Sequence, residues 1–96
     1  MIVKRRLHIK NPQGLHARPA STFVKIANKF ESEVTVKKGG EIVNGKSIMG
    51  LMTLAASQGS VLEVEVSGPD AEKAMQELER FLMTDLEKGK SKEGNS

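Results

Sequence analysis

The sequence predicts a single α+β domain in which four strands, wet on one face, are covered on the other by helices. Three observations predict it. Apolar residues alternate in four short segments, they recur at helical spacing in three others, and the two kinds follow the order strand, helix, strand, strand, helix, strand, helix. Strands with one polar face and helices with one apolar stripe bury most surface when stacked as two layers. A chain of 96 residues has material for one modest core, so residues 1–86 are expected to form one domain. From Glu87 onward Lys, Gly, Ser and Glu replace any apolar stripe, and residues 87–96 are expected to be a flexible charged tail.

Each element has its own warrant. Residues 2–9 alternate, with Val3, Leu7 and Ile9 on one face and Lys4, Arg6 and His8 on the other. Asn11-Pro12-Gln13-Gly14 supplies a turn. Over residues 17–29, Ala20, Phe23, Val24 and Ala27 fall on one helical stripe that Phe30 continues and Ile26 flanks. Residues 33–38 alternate through Val34 and Val36, Gly39-Gly40 makes a hairpin turn, and residues 41–44 return. Gly45-Lys46-Ser47 leads into an apolar helical stretch at 48–56, which Gln58-Gly59 ends. Residues 60–66 alternate through Leu62, Val64 and Val66. The last helix starts near Pro69-Asp70, where proline suits a first turn and aspartate the positive end of the dipole; its stripe is Ala71, Ala74, Met75, Leu78, Phe81 and Leu82.

Composition excludes several functions. There is no cysteine, so no disulfide or thiolate metal site exists, and two histidines make no metal cluster; neither a metal nor a cofactor is expected. No apolar run is long enough to cross a bilayer, and the N-terminus lacks the apolar segment of a signal peptide, so no membrane insertion is expected and the protein is expected in the cytoplasm. The net charge of +3, from 15 basic and 12 acidic residues, is too mild, and three Phe without Trp or Tyr too few, for a nucleic-acid face. Acidic protein partners fit this charge better.

The sharpest chemistry lies in Gly14-Leu15-His16-Ala17-Arg18-Pro19, where a turn becomes the first helix. Free amides and the positive end of a helix dipole there favour an anionic oxygen group, and a guanidinium fork is near. Gly14 allows close approach, Pro19 removes a donor that would otherwise be unpaired, and small Ala17 and Ala20 leave the amide end uncluttered. An imidazole with an ordinary pKa of roughly 6.5 is largely unprotonated near neutral pH and can act as a nucleophile, so His16 is a candidate to carry a phosphoryl group that Arg18 offsets. Ser47 precedes an apolar helix and is most simply its N-cap. A phosphate there would add about −1.5 to −2 charge at a helix start, where the fold tolerates it and partners would feel it. The helix after Ser47 has almost no polar face; if Leu51, Leu54 and Ala55 turn inward, Ile48, Met49 and Met52 point out together as a shape-tolerant apolar patch, and otherwise they are loosely packed core.

Gly14-Leu15-His16-Ala17-Arg18-Pro19-Ala20 together with Lys46-Ser47-Ile48-Met49-Gly50-Leu51 resembles the HPr family, the histidine-containing phosphocarriers of the bacterial phosphotransferase system, over residues 3–86. The resemblance implies an open-faced β-sandwich, a four-stranded antiparallel sheet with three helices on one face. It implies that His16 takes a phosphoryl group on Nδ1 from phosphorylated enzyme I and gives it to enzyme IIA domains of sugar permeases, a phosphotransfer intermediate rather than an independent catalyst. Arg18 and the amides of Ala17 and Arg18 would hold the phosphate. Ser47 would be the target of HPr kinase/phosphorylase, with its phosphorylated form discouraging enzyme I and in some lineages recruiting a transcription regulator. Ala20, Ile48, Met49 and Met52 would form the docking surface of a monomer. One alternative stays open, a nitrogen-related or regulatory paralogue of the phosphotransferase system that keeps His16; an interaction module working through Ser47 and the apolar patch alone is disfavoured, because the resemblance implies that regulatory homologues of that kind lack the histidine that this chain has.

Overall fold

A computed structural model describes residues 1–10, 15, 17–54 and 59–83. Strand β1 (Ile2–His8) is followed by helix α1 (Ala17–Ala27), the hairpin strands β2 (Glu33–Lys38) and β3 (Glu41–Asn44), helix α2 (Ile48–Thr53), strand β4 (Val61–Ser67) and helix α3 (Ala71–Met83). The order is the one the sequence predicts. Helix α1 is shorter than the 17–29 expected, because the amides of Lys29 and Phe30 reach back only three residues, to Ile26 and Ala27, and tighten the chain into a closing turn. The turn at 11–14, the residues 55–58 expected to finish α2 and its ending signal, and the tail at 87–96 lie outside the described residues.

All strand pairs are antiparallel in the spatial order β1-β4-β2-β3, so the last strand in sequence is inserted between the first two. Alternation explains the layer. Leu62, Val64 and Val66 of β4 point under the helices and are fully buried; Val66 lies between Val3 and Val34, and Val64 between Arg5 and Val36. Helix α3 packs on β1 and β4, α1 on α2 and α3, and α2 on β3. Phe23 of α1 meets Phe81 of α3 edge to face, ring centroids 6.4 Å apart.

Two polar features depart from the simple pattern. Arg5, a cation, occupies the covered face of β1 between Val3 and Leu7. Because β1 is an edge strand, its long side chain runs to the rim of the sheet, where the guanidinium lies 3.4 Å from Glu79 and 3.7 Å from Glu72 of α3. These pairs are half-exposed and contribute little individually. Asp70 suits the positive end of α3 by sequence, and in the fold its carboxylate also accepts the amides of Glu31 and Ser32 (2.9 and 3.0 Å) and the hydroxyl of Ser32 (2.5 Å). The turn before β2 is thereby tied to the start of α3. Gly68 is required for this approach, because a Cβ there would sit 2.6 Å from the Ser32 Cα.

The hydroxyl of Ser32, and after it the amide of Glu31, hold the Asp70 carboxyl below its ordinary range. A carboxyl with a lowered folded-state pKa stabilises fully above its unfolded pKa of about 4, and that stabilisation is lost as pH falls through the folded value. Ser32→Ala, which deletes a donor from a buried site, is expected to lower Tm by about 4–8 °C at neutral pH. Asp70→Asn is expected to be destabilised at neutral pH as well, and its deficit relative to wild type should shrink as melts are repeated below about pH 4. A deficit that does not vary with pH would assign the link to geometry alone.

Candidate functional site

The segment that carries His16 is bonded into the core at both flanks. On the near side Ile9 is buried; its amide donates to the Ser60 carbonyl and its carbonyl accepts from Gly59, both at 2.9 Å, while the amide of Lys10 donates to the Leu82 carbonyl at the end of α3 at 3.1 Å. On the far side Leu15 is buried and α1 opens at Ala17. Gly14 and His16 themselves lie outside the described residues.

The first turn of α1 carries positive charge and no acidic residue. Ala17 and Arg18 are exposed, Pro19 and Ala20 are buried, and no acidic residue occupies the turn. The amides of Ala17 and Arg18 precede the first intrahelical hydrogen bond, and Pro19 has none to offer. An arginine at this end opposes the helix dipole and costs the helix up to about 1 kcal/mol. Among the described residues no carboxylate lies within ion-pair distance of Arg18 to offset it; its carbonyl accepts the Thr22 hydroxyl at 3.2 Å. Lys25, two turns further along the same face, is also exposed, whereas Lys29 is engaged with Glu77 of α3 at 2.7 Å and by that hydrogen bond holds the Glu77 carboxyl below its ordinary range.

Ser47 is the N-cap of α2: in extended backbone conformation (φ −116°, ψ 115°), its Oγ accepts the Gly50 amide at 3.0 Å. Its neighbours hold it in place. The Lys46 amide donates to Asn44 Oδ1 at 2.8 Å, the Lys46 ammonium donates to the Phe30 carbonyl at 2.9 Å, and the Gly45 amide donates to the Val34 carbonyl at 2.7 Å. A Cβ on Gly45 would approach Val34 Cβ to 2.9 Å, so glycine lets the chain turn from β3 into α2 across β2.

Leu51 and Leu54 turn into the core, and Ile48, Met49 and Met52 stay exposed at 39%, 74% and 41%. The apolar residues of α2 are therefore divided between core and surface, which decides between the two arrangements the sequence left open, while Ala55 lies outside the described residues. Ala20 departs from expectation. It is fully buried in the core beneath α1, because the same stripe that carries Phe23, Val24 and Ala27 carries it inward, so it offers no surface to a partner. Sequence reasoning misses Lys46 and the pair Ser32–Asp70; the latter spans 38 positions and leaves no local signal. Among the described residues no helix is long and apolar enough to cross a membrane.

A family model described as the PTS HPr component phosphorylation site matches residues 3–84. The chain belongs to the HPr family of phosphocarrier proteins. Phosphocarrier protein HPr of Neisseria meningitidis is 47% identical over 93 residues, covering 97% of this chain and 99% of its own. Among solved structures, the HPr of Bacillus anthracis superposes with a TM-score of 0.82 at 41% identity, covering 84% of this chain and 96% of its own. The HPr-like catabolite repression protein Crh of Bacillus subtilis, crystallised as a domain-swapped dimer, superposes at 0.69 with 41% identity over 83% of this chain and 92% of its own. The family's architecture, four antiparallel strands open on one side and three helices on the other, is the one described above.

Ser47→Ala removes the cap oxygen and is expected to cost about 1 kcal/mol in denaturant-unfolding free energy, whereas Ser47→Asp, which keeps an acceptor at the cap, should stay close to wild type. Equal losses in the two variants would place the contribution of Ser47 elsewhere than the cap.

Proposed function

We propose that the chain carries a phosphoryl group on Nδ1 of His16, taken from phosphorylated enzyme I and passed to enzyme IIA domains of sugar permeases, and that HPr kinase/phosphorylase regulates it through Ser47. The observation that carries this reading is the first turn of α1. Directly after His16 it holds two amides free of intrahelical partners and an exposed arginine, with no carboxylate among the described residues to neutralise it. Membership of the HPr family and the matched phosphorylation-site model support the same reading.

The transfer requires little of the protein beyond position and charge. The Nδ1 lone pair of His16 attacks the phosphorus held on a donor imidazole; the new N–P bond forms as the donor's N–P bond breaks, and the electron pair returns to the donor ring. The amides of Ala17 and Arg18 and the Arg18 guanidinium take up the oxygens' charge at the receiving side. Passage to an acceptor runs the same step in reverse. Ile48, Met49 and Met52 form the apolar centre of the docking surface, with Arg18 and Lys25 as a basic rim that suits an acidic partner. Phosphate on Ser47, at the edge of that patch, adds about two negative charges against such a partner while leaving the helix cap supplied with acceptors. The working form is a cytoplasmic monomer, since both partners require one exposed face.

The likeness to Crh favours a second reading, in which the output is regulatory and runs through a transcription regulator that docks on the Ser47-phosphorylated form. One labelling experiment separates the two. With enzyme I and phosphoenolpyruvate, wild type should gain an acid-labile, base-stable phosphate that His16→Ala lacks, and should pass it to a IIA domain; labelling that survives His16→Ala, or no labelling of wild type, overturns the carrier. With ATP and the kinase, label should appear on wild type and vanish in Ser47→Ala. Arg18→Ala should still label, with kcat/KM for transfer reduced about tenfold or more, as removal of one charge-assisted contact implies.

A further inference from the structure

The docking patch contains two of the three exposed methionines among the described residues. There is no cysteine, and of five methionines Met75 is fully buried and Met83 half-buried against the core, while Met1 stands exposed at the start of β1, outside the patch. The remaining two, Met49 and Met52, are three positions apart on α2, on the same exposed face. A thioether is soft, apolar and adaptable, which suits a surface that must fit several partners; the same sulfur is open to peroxide.

We infer that Met49 and Met52 are sites of reversible oxidation, and that their conversion to sulfoxides by a peroxide switches off docking of the phosphoryl donor without disturbing the fold. This inference rests on the carrier reading and on the patch as its docking surface. The chemistry needs only the peroxide. A sulfur lone pair attacks one peroxide oxygen, the S–O bond forms as the O–O bond breaks, and the other oxygen leaves as water or an alcohol; sulfur loses two electrons and the peroxide gains them. The product is a polar, chiral side chain with a strong acceptor in the centre of an apolar contact, where burial without a partner is costly. Reduction by a methionine sulfoxide reductase reverses the change. The core is insulated, because Leu51 and Leu54 on the opposite side of α2 carry its packing and Met75 has no exposed surface.

The test treats the full chain with hydrogen peroxide, reads oxygen uptake residue by residue by peptide mass spectrometry, and measures single-turnover phosphoryl transfer from enzyme I together with the thermal melt. Met49 and Met1 are expected to oxidise first and Met52 next, with Met75 protected. Transfer should fall about tenfold, the consequence of a modest loss in docking free energy, while the melt stays in place. Methionine sulfoxide reductase should restore the rate. The double variant Met49→Leu/Met52→Leu, compared with its own untreated sample, should lose no rate on peroxide treatment although Met1 still oxidises. Full transfer by protein carrying both sulfoxides, an equal loss in the double variant, or a collapse of the melt each overturns the inference. If untreated wild type accepts no phosphate, the carrier reading fails as well; if untreated protein transfers and oxidised protein transfers equally, only this inference fails.

Discussion

The register of β4 between β1 and β2 is the constraint on which the rest of the molecule depends. Side chains alternate with period two, so a slip of one residue would turn Glu63 and Glu65 into the core and Leu62, Val64 and Val66 out of it. In the observed register both glutamates lie on the open face, Glu63 across from Arg6 and Lys37 and Glu65 across from Lys4 and Thr35, with the Lys37 ammonium 3.9 Å from Glu63. Burying two unpaired carboxylates costs far more than any alternative packing of this strand could offset, which excludes every one-residue slip and fixes the face that β4 turns to the helices. Once it is set, the end of β1 delivers Ile9 and Lys10 to the start of β4 and the end of α3, and the segment carrying His16 leaves from a defined place.

The helices on the covered face divide their surfaces between folding and function. In α1 the stripe Ala20, Phe23, Val24 and Ala27 stabilises the core, while the first turn holds an arginine that has no carboxylate partner among the described residues and serves the helix poorly. In α2 the division is finer still, since six residues supply a fully buried leucine and three exposed apolar side chains around one serine cap. Gly50 belongs to this arrangement, because a Cβ there would press against Val43 at 3.2 Å and push α2 away from β3. Features that weaken the isolated element are thus concentrated where a ligand or partner would compensate for them.

Much of this is legible in the chain alone. Strong alternation marks the four strands and clear stripes mark α1 and α3, whereas α2 carries apolar residues on nearly every side and spacing does not say which of them stay outside. What escapes is long-range or a matter of sheet position. Arg5 looks like one of a basic run, and only the placement of β1 at the sheet edge, beneath α3, gives its guanidinium a route to Glu72 and Glu79. Ala20 looks available because it is small and near the site, yet its place on the helical stripe takes it inward.

The sequence by itself determined the elements, their order, the buried side of the strands and of α1 and α3, and the two candidate motifs around His16 and Ser47, because periodicity, turn chemistry and helix starts are local and need no partner to be read. Tertiary structure alone decided which strand lies between which, that Asp70 secures the turn at Ser32, that Lys46 reaches the Phe30 carbonyl, and which apolar residues of α2 remain outside. The physical reason is common to all four. Each depends on residues brought together by the burial of β4 beneath the helices, and no periodicity along the chain records which distant surfaces that burial joins.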